Sequence, residues 1–249
     1  MEELRFHFSV DDVFDAFIDV ADRRLELFEQ PFFGFLQALH AEFGVVVHLY
    51  VFHRKAVHGR RRSLEEVPET VGAALRRSRW LHLGPHALDY DTPPYAQTPD
   101  QQVRALDAIY AELDRFAPDA SRSPWVRLHC FSETYEIASY LGDRGVSAIL
   151  TTDKPAVAYR LPDALRRQLQ EEGEVAVGGI RAIRSHFRLE TLVAAGLTGA
   201  RLAETLDAAL SAHGRAVVMT HECEVPRPEV REMARAVLRH LTSRGAISV

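Results

Sequence analysis

The sequence predicts an α/β protein folded as a single irregular (β/α)7 TIM-like barrel. Strand-like and helix-like segments alternate along most of the chain, a pattern typical of parallel β/α construction. Polar residues recur at the ends of the predicted strands, and in a barrel those ends share one mouth. The length of 249 residues suits one barrel, because α/β barrels of about 250 residues commonly form a single domain. We therefore expect residues 1–249 to be one domain.

The predicted strands are short apolar segments, several of them rich in β-branched and aromatic residues. The second, which ends in His48-Leu49-Tyr50-Val51-Phe52, is nearly continuous in such residues and predicts a buried strand. The predicted strands are Leu4–Val10, Val45–Phe52, Trp80–Leu83, Trp125–Phe131, Val146–Leu150, one or two short strands within 175–183, and Ala216–Met219.

Apolar residues at helical spacing predict the helices between these strands. Gly44 ends the second helix, as a C-terminal glycine often does, and Pro226 or Pro228 lies near the first turn of the last. Tyr90–Pro99 holds three prolines and predicts a loop. The predicted helices are Asp11–Phe28, Phe32–Phe43, Leu64–Arg77, Gln101–Phe116, one ending near Gly142, Leu161–Glu171, Arg188–Ala195, Arg201–His213 and Pro226–Ser243.

Composition excludes some classes of function. The net charge of −5 and the pI near 6.2 argue against a nucleic-acid-binding protein, which would present a basic face. One basic run, residues 60–62 with Arg54 and Lys55 upstream, lies in a polar segment. It predicts a solvated loop or, alternatively, a patch for an anionic substrate or partner.

Cysteine content and hydropathy indicate where the protein works. The only cysteines, Cys130 and Cys223, do not suggest a disulfide framework. The N-terminal residues enter the first strand without a leader-like segment, and no apolar run approaches the ~18 residues that suggest a membrane span. We expect a cytoplasmic protein with no membrane span.

Seven polar residues lie at or just beyond the ends of predicted strands, which favours a barrel over an open sheet. An open sheet would separate the first strand from the last, whereas a barrel gathers all of these residues at one mouth. They are Asp11, Asp12, His82, His86, His129, Asp153 and His221.

Asp11 and Asp12 have two readings. One aspartate at the start of a helix is explained by N-capping. Two adjacent carboxylates at a strand end also suit a metal site with a neighbouring general base. His82 and His86 are four residues apart; with an aspartate they form a ligand set for zinc or a similar metal, but twelve histidines make a chance pair common.

His221 follows the last predicted strand and could act as a general acid; a buried histidine bonded to backbone is the alternative. Cys223 could in principle be a nucleophile beside His221, but no third group is evident, and a structural thiol is favoured.

These residues resemble the motifs of the polysaccharide deacetylase family, metal-dependent carbohydrate esterases with an irregular (β/α)7 barrel. Phe8-Ser9-Val10-Asp11-Asp12-Val13 matches its Thr-Phe-Asp-Asp-Gly motif, which implies that Asp11 is the catalytic base and Asp12 a metal ligand. The His-Ser/Thr-x-x-His motif fits two registers. His86 is a ligand in both, and His82 in one. The other register places Tyr90 at the second histidine, so that Asp89 or Asp91 could complete the shell.

The later motifs extend the resemblance along nearly the whole chain. Arg127 corresponds to the arginine that orients the base, His221 to the catalytic acid, and residues 185–190 to the fourth motif. Gly84-Pro85-His86-Ala87 and His129-Cys130-Phe131-Ser132 look closest to a subgroup associated with surface-polysaccharide biosynthesis. The expected substrate-binding residues are His129, Phe131, Ser132, Tyr90 and Glu222, with a backbone N–H near Phe131 or Ser132 assisting the oxyanion.

The resemblance implies a metal-dependent hydrolase that removes an N- or O-acetyl (acyl) group from a sugar or polysaccharide precursor. The expected cofactor is Zn²⁺, with Co²⁺, Ni²⁺ or Mn²⁺ as alternatives, and the expected partner is a small-molecule or oligosaccharide substrate. Two other readings stay open: a metal-dependent amidase with a non-sugar substrate, and a catalytically inactive sugar-binding barrel.

Overall fold

The computed structural model describes residues 3–117, 119–132, 136–152, 154 and 161–249. Asp153, one of the polar residues predicted at a strand end, lies outside the described residues. The strands are β1 Arg5–Val13, β2 Val47–Phe52, β3 Arg54–Val57, β4 Arg60–Ser63, β5 Leu81–Ala87, β6 Trp125–Val126, β7 Ala148–Leu150, β8 Glu174–Val177, β9 Ile180–Ile183, β10 Phe187–Arg188, β11 Arg215–His221 and β12 Ile247–Ser248.

Helices follow most of the parallel strands. Several begin or end where the sequence indicates: Gly44 ends α2 in a left-handed conformation, and Pro228 is the first residue of α9. They are α1 Asp15–Arg23, α2 Pro31–Phe43, α3 Val71–Arg77, α4 Pro99–Phe116, α5 Ala138–Asp143, α6 Asp163–Glu172, α7 Leu189–Ala194, α8 Gly199–His213 and α9 Pro228–Ser243.

The strands of the barrel form two hydrogen-bonded sheets, in which every pairing among the described residues is parallel except that of β8 with β9. One has the order β10-β11-β1-β2-β5, with β12 pairing with β1, and the other has the order β6-β7-β9-β8. A parallel bridge from Leu83 to Arg122 links the sheets on one side. On the other side, residues 180–188 begin in β9 and end in β10. The α/β barrel class is confirmed, although strand pairing within the described residues is not continuous around it.

Alternate residues of the strands point to two different apolar layers. One large cluster fills the space between strands and helices, and it includes Phe8, Val10 and Leu49. A smaller cluster lies on the opposite strand face, inside the barrel, and includes Tyr50, Leu150 and Val217. This division is the one expected when helices cover a barrel whose interior is filled by side chains.

The first strand is longer than the sequence predicts. β1 continues to Val13, and α1 begins only at Asp15, so Asp11 and Asp12 belong to the strand and do not cap the helix. Asp12 has a φ of 61° and lies where the pairing with β2 shifts register, between Val10 and Val13. This bulge interrupts the alternation of side chains at the end of β1.

Three other local predictions differ from the structure. The basic segment expected as a loop contains the antiparallel hairpin β3–β4, in which Arg54 pairs with Ser63. The helix predicted from Leu64 begins as a separate 3₁₀ turn before α3. The fourth strand is only Trp125–Val126 and is followed by a 3₁₀ turn at His129–Phe131. None of the helices in the described part of the chain has the length and apolar character needed to cross a membrane.

Candidate metal centre and active site

One aspartate and two histidines converge at the C-terminal ends of the strands. Asp12 is the penultimate residue of β1, His86 lies near the end of β5, and His129 lies in the turn after β6. The Oδ1 atom of Asp12 is 3.0 Å from Nε2 of His86 and 3.3 Å from Nδ1 of His129. Those two nitrogens are 3.3 Å apart. We call Asp12, His86 and His129 the mouth cluster.

The hydrogen bonding of the mouth cluster fits a bound cation. Nδ1 of His86 lies 2.6 Å from the carbonyl oxygen of Arg127 and donates to it, so Nε2 of the neutral ring has a free lone pair. That lone pair faces Oδ1 of Asp12, which is buried without a hydrogen-bond donor. Ligand atoms around a tetrahedral zinc ion with bonds of about 2.0–2.1 Å lie roughly 3.3 Å apart, which agrees with the observed spacing.

The charge of Asp12 also suits a cation. Burial by itself would raise the pKa of Asp12, but the imidazoles of His129 and His86, which donate hydrogen bonds to the carboxylate when they are protonated, lower it well below its ordinary value. The carboxyl group is therefore ionised at neutral pH. Asp12, His86 and His129 could together hold a divalent metal and leave a position for water.

Aromatic rings shape the surroundings of the mouth cluster. The ring of Phe52 packs edge-on against His86 and His129, at centroid distances of 5.2 and 5.0 Å. Tyr90 packs on the other side of His129 at 5.1 Å and is 59% exposed. Phe52 thus packs against both imidazoles and restricts their orientation, whereas the ring of Tyr90 is exposed to solvent beside them.

The turn that contains His129 has a strained backbone and is stabilised by side-chain hydrogen bonds. Cys130 and Phe131 have φ values of 56° and 51°, which are uncommon for residues other than glycine. The hydroxyl of Ser132 donates to the carbonyl of His129 at 2.6 Å and accepts from the backbone N–H of Tyr95 at 3.0 Å. The Ser132 side chain therefore fixes the turn and is not free for substrate. The ring of Phe131 packs under the guanidinium of Arg188.

Asp11 is held by an arginine inside the barrel. Nη1 of Arg127 donates to Oδ1 of Asp11 at 2.9 Å and to the hydroxyl of Ser9 at 2.7 Å, and Nη2 donates to the hydroxyl of Ser185 at 3.1 Å. Arg127 has no exposed surface, and Asp11 is 2% exposed. Arg127 and Asp11 therefore form a buried ion pair, the contact that the motif resemblance implies.

His221 is paired with Glu190, the last residue of the segment 185–190. Nδ1 of His221 lies 2.6 Å from Oε1 of Glu190, and the other oxygen of Glu190 accepts from the hydroxyl of Thr220 at 3.0 Å. Burial lowers the pKa of His221, but the hydrogen bond with Glu190 and the nearby carboxylates of Asp11 and Asp12 outweigh it, so the pKa is raised. His221 thus favours the imidazolium form.

The structure does not bring His82 to the mouth cluster, and the expectation that it shares a metal site with His86 is corrected. His82 is the second residue of β5 and His86 the sixth. Four residues along a strand span roughly 13 Å. The ring of His82 instead stacks on that of His48, at a centroid distance of 5.2 Å. The spacing of four would bring two histidines together on a helix, but not along a strand.

Glu222 is also placed differently from the expectation. Its carboxylate accepts hydrogen bonds from the backbone N–H groups of Phe14, Asp15 and Ala16, at 3.0, 3.0 and 2.7 Å. It therefore caps the N-terminus of α1, which no neighbouring side chain caps. This use corrects the prediction that Glu222 contacts substrate.

The remaining candidates lie near the mouth but have other partners or are exposed. Asp89 accepts two hydrogen bonds from Arg54, at 3.0 and 2.8 Å, and Asp91 is exposed. Cys223 is a free cysteine whose pKa is raised by burial, so the thiol stays protonated near neutral pH. Neither aspartate joins the mouth cluster, and a nucleophilic role for Cys223 gains no support.

Sequence reasoning missed the supporting residues of the site. Ser9 and Ser185 bind Arg127, and Glu190 binds His221. Ser9 lies inside the first motif and the other two inside the fourth, so motif position was the available signal. Their roles depend on contacts between strands far apart in sequence, which spacing does not show.

No protein-family model and no curated relative matches the chain. Solved structures do match it. A polysaccharide deacetylase of Mycobacterium smegmatis, itself described as putative, aligns with a TM-score of 0.57 at 13% identity, over 100% of this chain and 87% of that one. The chain has the fold of the polysaccharide deacetylases.

Two further structures extend this comparison. The peptidoglycan N-acetylglucosamine deacetylase Bc1960 aligns with a TM-score of 0.50 at 12% identity, over 100% of this chain and 86% of that one. A 4-alpha-glucanotransferase from Thermococcus litoralis aligns with a TM-score of 0.54 at 15% identity. The alignment covers 100% of this chain and 39% of the glucanotransferase. The expected resemblance is thus confirmed for the fold.

We expect measurements of bound metal to show that the mouth cluster binds a metal and that His82 is not one of its ligands. Asp12→Ala, His86→Ala and His129→Ala should each lower the bound divalent metal by about one equivalent, because each removes a ligand atom. His82→Ala is the matched control and should keep the wild-type content. Elemental analysis of the purified proteins measures this. Loss of metal from His82→Ala with retention in His129→Ala would contradict the assignment.

We expect Glu222→Ala to destabilise the fold by about 1–3 kcal/mol, because it leaves backbone N–H groups at the start of α1 without their acceptor. Urea denaturation measures the change in the free energy of unfolding. Glu224→Ala is the control, since its side chain pairs at 2.5 Å with the exposed Arg227, and it should cost less than 1 kcal/mol. Equal effects of the two substitutions would argue against the capping role.

Proposed function

We propose that this protein is a metal-dependent hydrolase that removes an N- or O-acetyl group from a sugar or polysaccharide precursor. The observation that carries the proposal is the arrangement at the barrel mouth. A ligand set of one carboxylate and two imidazoles lies beside an arginine-held carboxylate and a glutamate-held imidazole. A cytoplasmic location, expected from the low cysteine content, is part of this proposal.

In this proposal Asp12, His86 and His129 hold a divalent metal, with Zn²⁺ the ion that the donor set suits best. A metal there would polarise the acyl carbonyl and lower the pKa of a water molecule. The Nδ1 hydrogen bond of His86 to the Arg127 carbonyl keeps its Nε2 directed at the metal position.

Asp11 is the proposed general base. Its carboxylate lies one residue before Asp12 and receives the charged hydrogen bond from Arg127. That bond fixes the orientation of the carboxylate while its other oxygen can accept a proton from the attacking water. Arg127 is a positioning residue, because it is fully buried and acts through Asp11.

His221 is the proposed general acid. The Cα atoms of His221 and Asp11 are partners across β11 and β1, so acid and base lie on neighbouring strands. Its raised pKa, with Glu190 holding Nδ1, leaves Nε2 as the proton donor to the departing amine or alcohol. A backbone N–H of Phe131 or Ser132 assists the oxyanion in this scheme.

Tyr90 is the proposed contact for a sugar ring. Its ring is exposed and packs directly on His129. The apolar face of a sugar could stack there, which would hold the acyl group over the mouth cluster. The named neighbours support this class of substrate, since one acts on peptidoglycan N-acetylglucosamine.

The fold alone does not decide between acyl hydrolysis and glycosyl transfer, because a glucanotransferase shares it. Glycoside chemistry uses two carboxyl groups on either side of the scissile bond, one of them as an acid. Here Asp11 is paired with Arg127, and the pKa of Glu190 is lowered: burial raises it, but His221 outweighs burial. Glu190 is therefore ionised at neutral pH and does not supply the acid that such a pair needs, which favours acyl hydrolysis.

We expect Asp11→Asn to retain metal and to lower kcat about 10²- to 10⁴-fold, as loss of a general base does. Acetate release from small acetylated sugars, including N-acetylglucosamine oligomers, measures activity, and elemental analysis measures metal. Asp91→Asn, at an exposed aspartate outside the cluster, is the control.

The same assay separates the alternatives. A wild-type protein that binds sugars, seen as a rise in Tm, but releases no acetate would be the inactive sugar-binding barrel. Turnover of non-sugar amides without turnover of acetylated sugars would indicate the amidase.

We expect the activity to fall as pH rises through the pKa of His221, because the acid must be protonated. The pKa of His221 lies above its usual value, so activity persists below that pKa and is lost above it. Glu190→Gln removes the partner that raises the pKa and should move the alkaline limb of kcat to lower pH by about 1 unit. A pH profile of Glu190→Gln that overlays the wild type, with Glu224→Gln as control, would exclude His221 as the acid.

A further inference from the structure

A second group of metal-ligating side chains lies outside the candidate active site. It consists of His53, which follows β2, Glu65 in the 3₁₀ turn after β4, and Glu112 on α4. One ligand atom from each residue lies within 4.8 Å of the other two. We call these residues the hairpin cluster, because they lie at the base of the β3–β4 hairpin.

The position of the hairpin cluster is set by the backbone at both ends of the hairpin. His53 directly precedes β3, and the 3₁₀ turn that contains Glu65 directly follows β4. The backbone N–H of Leu64 donates to the carbonyl of His53 at 2.8 Å, which closes the base of the hairpin. Glu112 comes from a helix far along the chain. Three separate segments therefore meet at this point.

Other residues pair with only part of the hairpin cluster. Glu112 accepts from Nε of Arg115 at 2.8 Å, and the Arg115 guanidinium also donates to the carbonyls of Val67 and Leu64. Within the described part of the chain, Glu65 has no salt bridge. Nδ1 of His53 is buried and has no hydrogen-bond partner. A buried imidazole nitrogen without a partner is costly, and a cation bound to that nitrogen would remove the cost.

We propose that His53, Glu65 and Glu112 form a second, structural site for a divalent cation of the zinc class, which fastens the base of the β3–β4 hairpin to α4. One imidazole and two carboxylates form a ligand set that zinc accepts, with water as a fourth ligand. Ca²⁺ and Mg²⁺ prefer sites built from oxygen alone, so the histidine favours a transition metal.

Such an ion would order a segment at the rim of the candidate active site. Arg54 on β3 pairs with Asp89 at 2.8 Å, and Lys55 pairs with Asp15 at 2.8 Å. These two ion pairs are partly exposed and weak by themselves. A metal bond at the base of the hairpin constrains the segment more strongly, and it involves no residue of the mouth cluster.

Zinc content in a set of four proteins tests this proposal. The wild type, Glu65→Gln, Asp12→Ala and the double variant are dialysed against the same free Zn²⁺ concentration and analysed for bound zinc. We expect about two, one, one and no equivalents per chain, in that order. Glu69→Gln is the matched control, because Glu69 is exposed on the same segment and lies outside the hairpin cluster; it should keep two.

The set also distinguishes failure of this proposal from failure of the proposed function. Unchanged zinc content in Glu65→Gln would overturn the hairpin site, whatever Asp12→Ala does. Loss of zinc in Glu65→Gln but not in Asp12→Ala would support the hairpin site and contradict the mouth cluster. Glu65 is exposed, so its substitution is not expected to prevent folding.

Trypsin cleavage at the hairpin arginines, residues 60–62, gives a second readout that needs no activity. In Asp12→Ala, which retains only the hairpin cluster, Zn²⁺ at 100 times its Kd should slow this cleavage by up to about 100-fold, because zinc binds the closed hairpin. In the double variant, Zn²⁺ should have no effect. Equal cleavage rates with and without zinc in Asp12→Ala would contradict a role in fixing the hairpin.

Discussion

The buried ion pair between Arg127 and Asp11 is the interaction on which the geometry of the site depends. A guanidinium with no exposed surface must have its donors paired, since an unpaired buried charge costs several kcal/mol. Arg127 pairs its two Nη groups with Ser9 and Asp11 on β1 and with Ser185, whose hydroxyl donates to the carbonyl of Thr151 at 2.5 Å, while its Nε is buried without a hydrogen-bond partner. The pair thus joins strands from both sheets at the point where the barrel opens.

This constraint also explains the strained residue beside it. Asp11 faces the barrel interior, and in a regular strand the next side chain would point toward the helices. The φ of 61° at Asp12 and the register shift break that alternation, so that both aspartates face the mouth. Asparagine and aspartate tolerate this conformation better than most residues do. The strain lies at the residue that faces the two imidazoles, which is the position of the proposed metal site.

Two histidines at the mouth differ in their hydrogen-bond partners. Nδ1 of His86 donates to a backbone carbonyl, which leaves Nε2 as the ring nitrogen that could bind a metal. His221 is bonded to the carboxylate of Glu190, which favours the imidazolium. The same side chain can therefore act as ligand or as acid within one site. The fold is shared with enzymes of different chemistry, so it is these partners that argue for acyl hydrolysis.

The sequence by itself determined the α/β class, the parallel strands, and the candidates Asp11, Asp12, His86, Arg127 and His221, because strand periodicity and motif order are local properties of the chain. It did not determine which histidine joins Asp12. The four-residue spacing of His82 and His86 suggested that both are metal ligands. A strand extends about 3.3 Å per residue, so His82 lies far from the mouth. Only the tertiary structure shows that His129 belongs to the mouth cluster and that Glu222 caps the N-terminus of α1. It also shows that Glu190 pairs with His221. Each of these contacts joins segments far apart in sequence, and their distances follow from packing around the barrel.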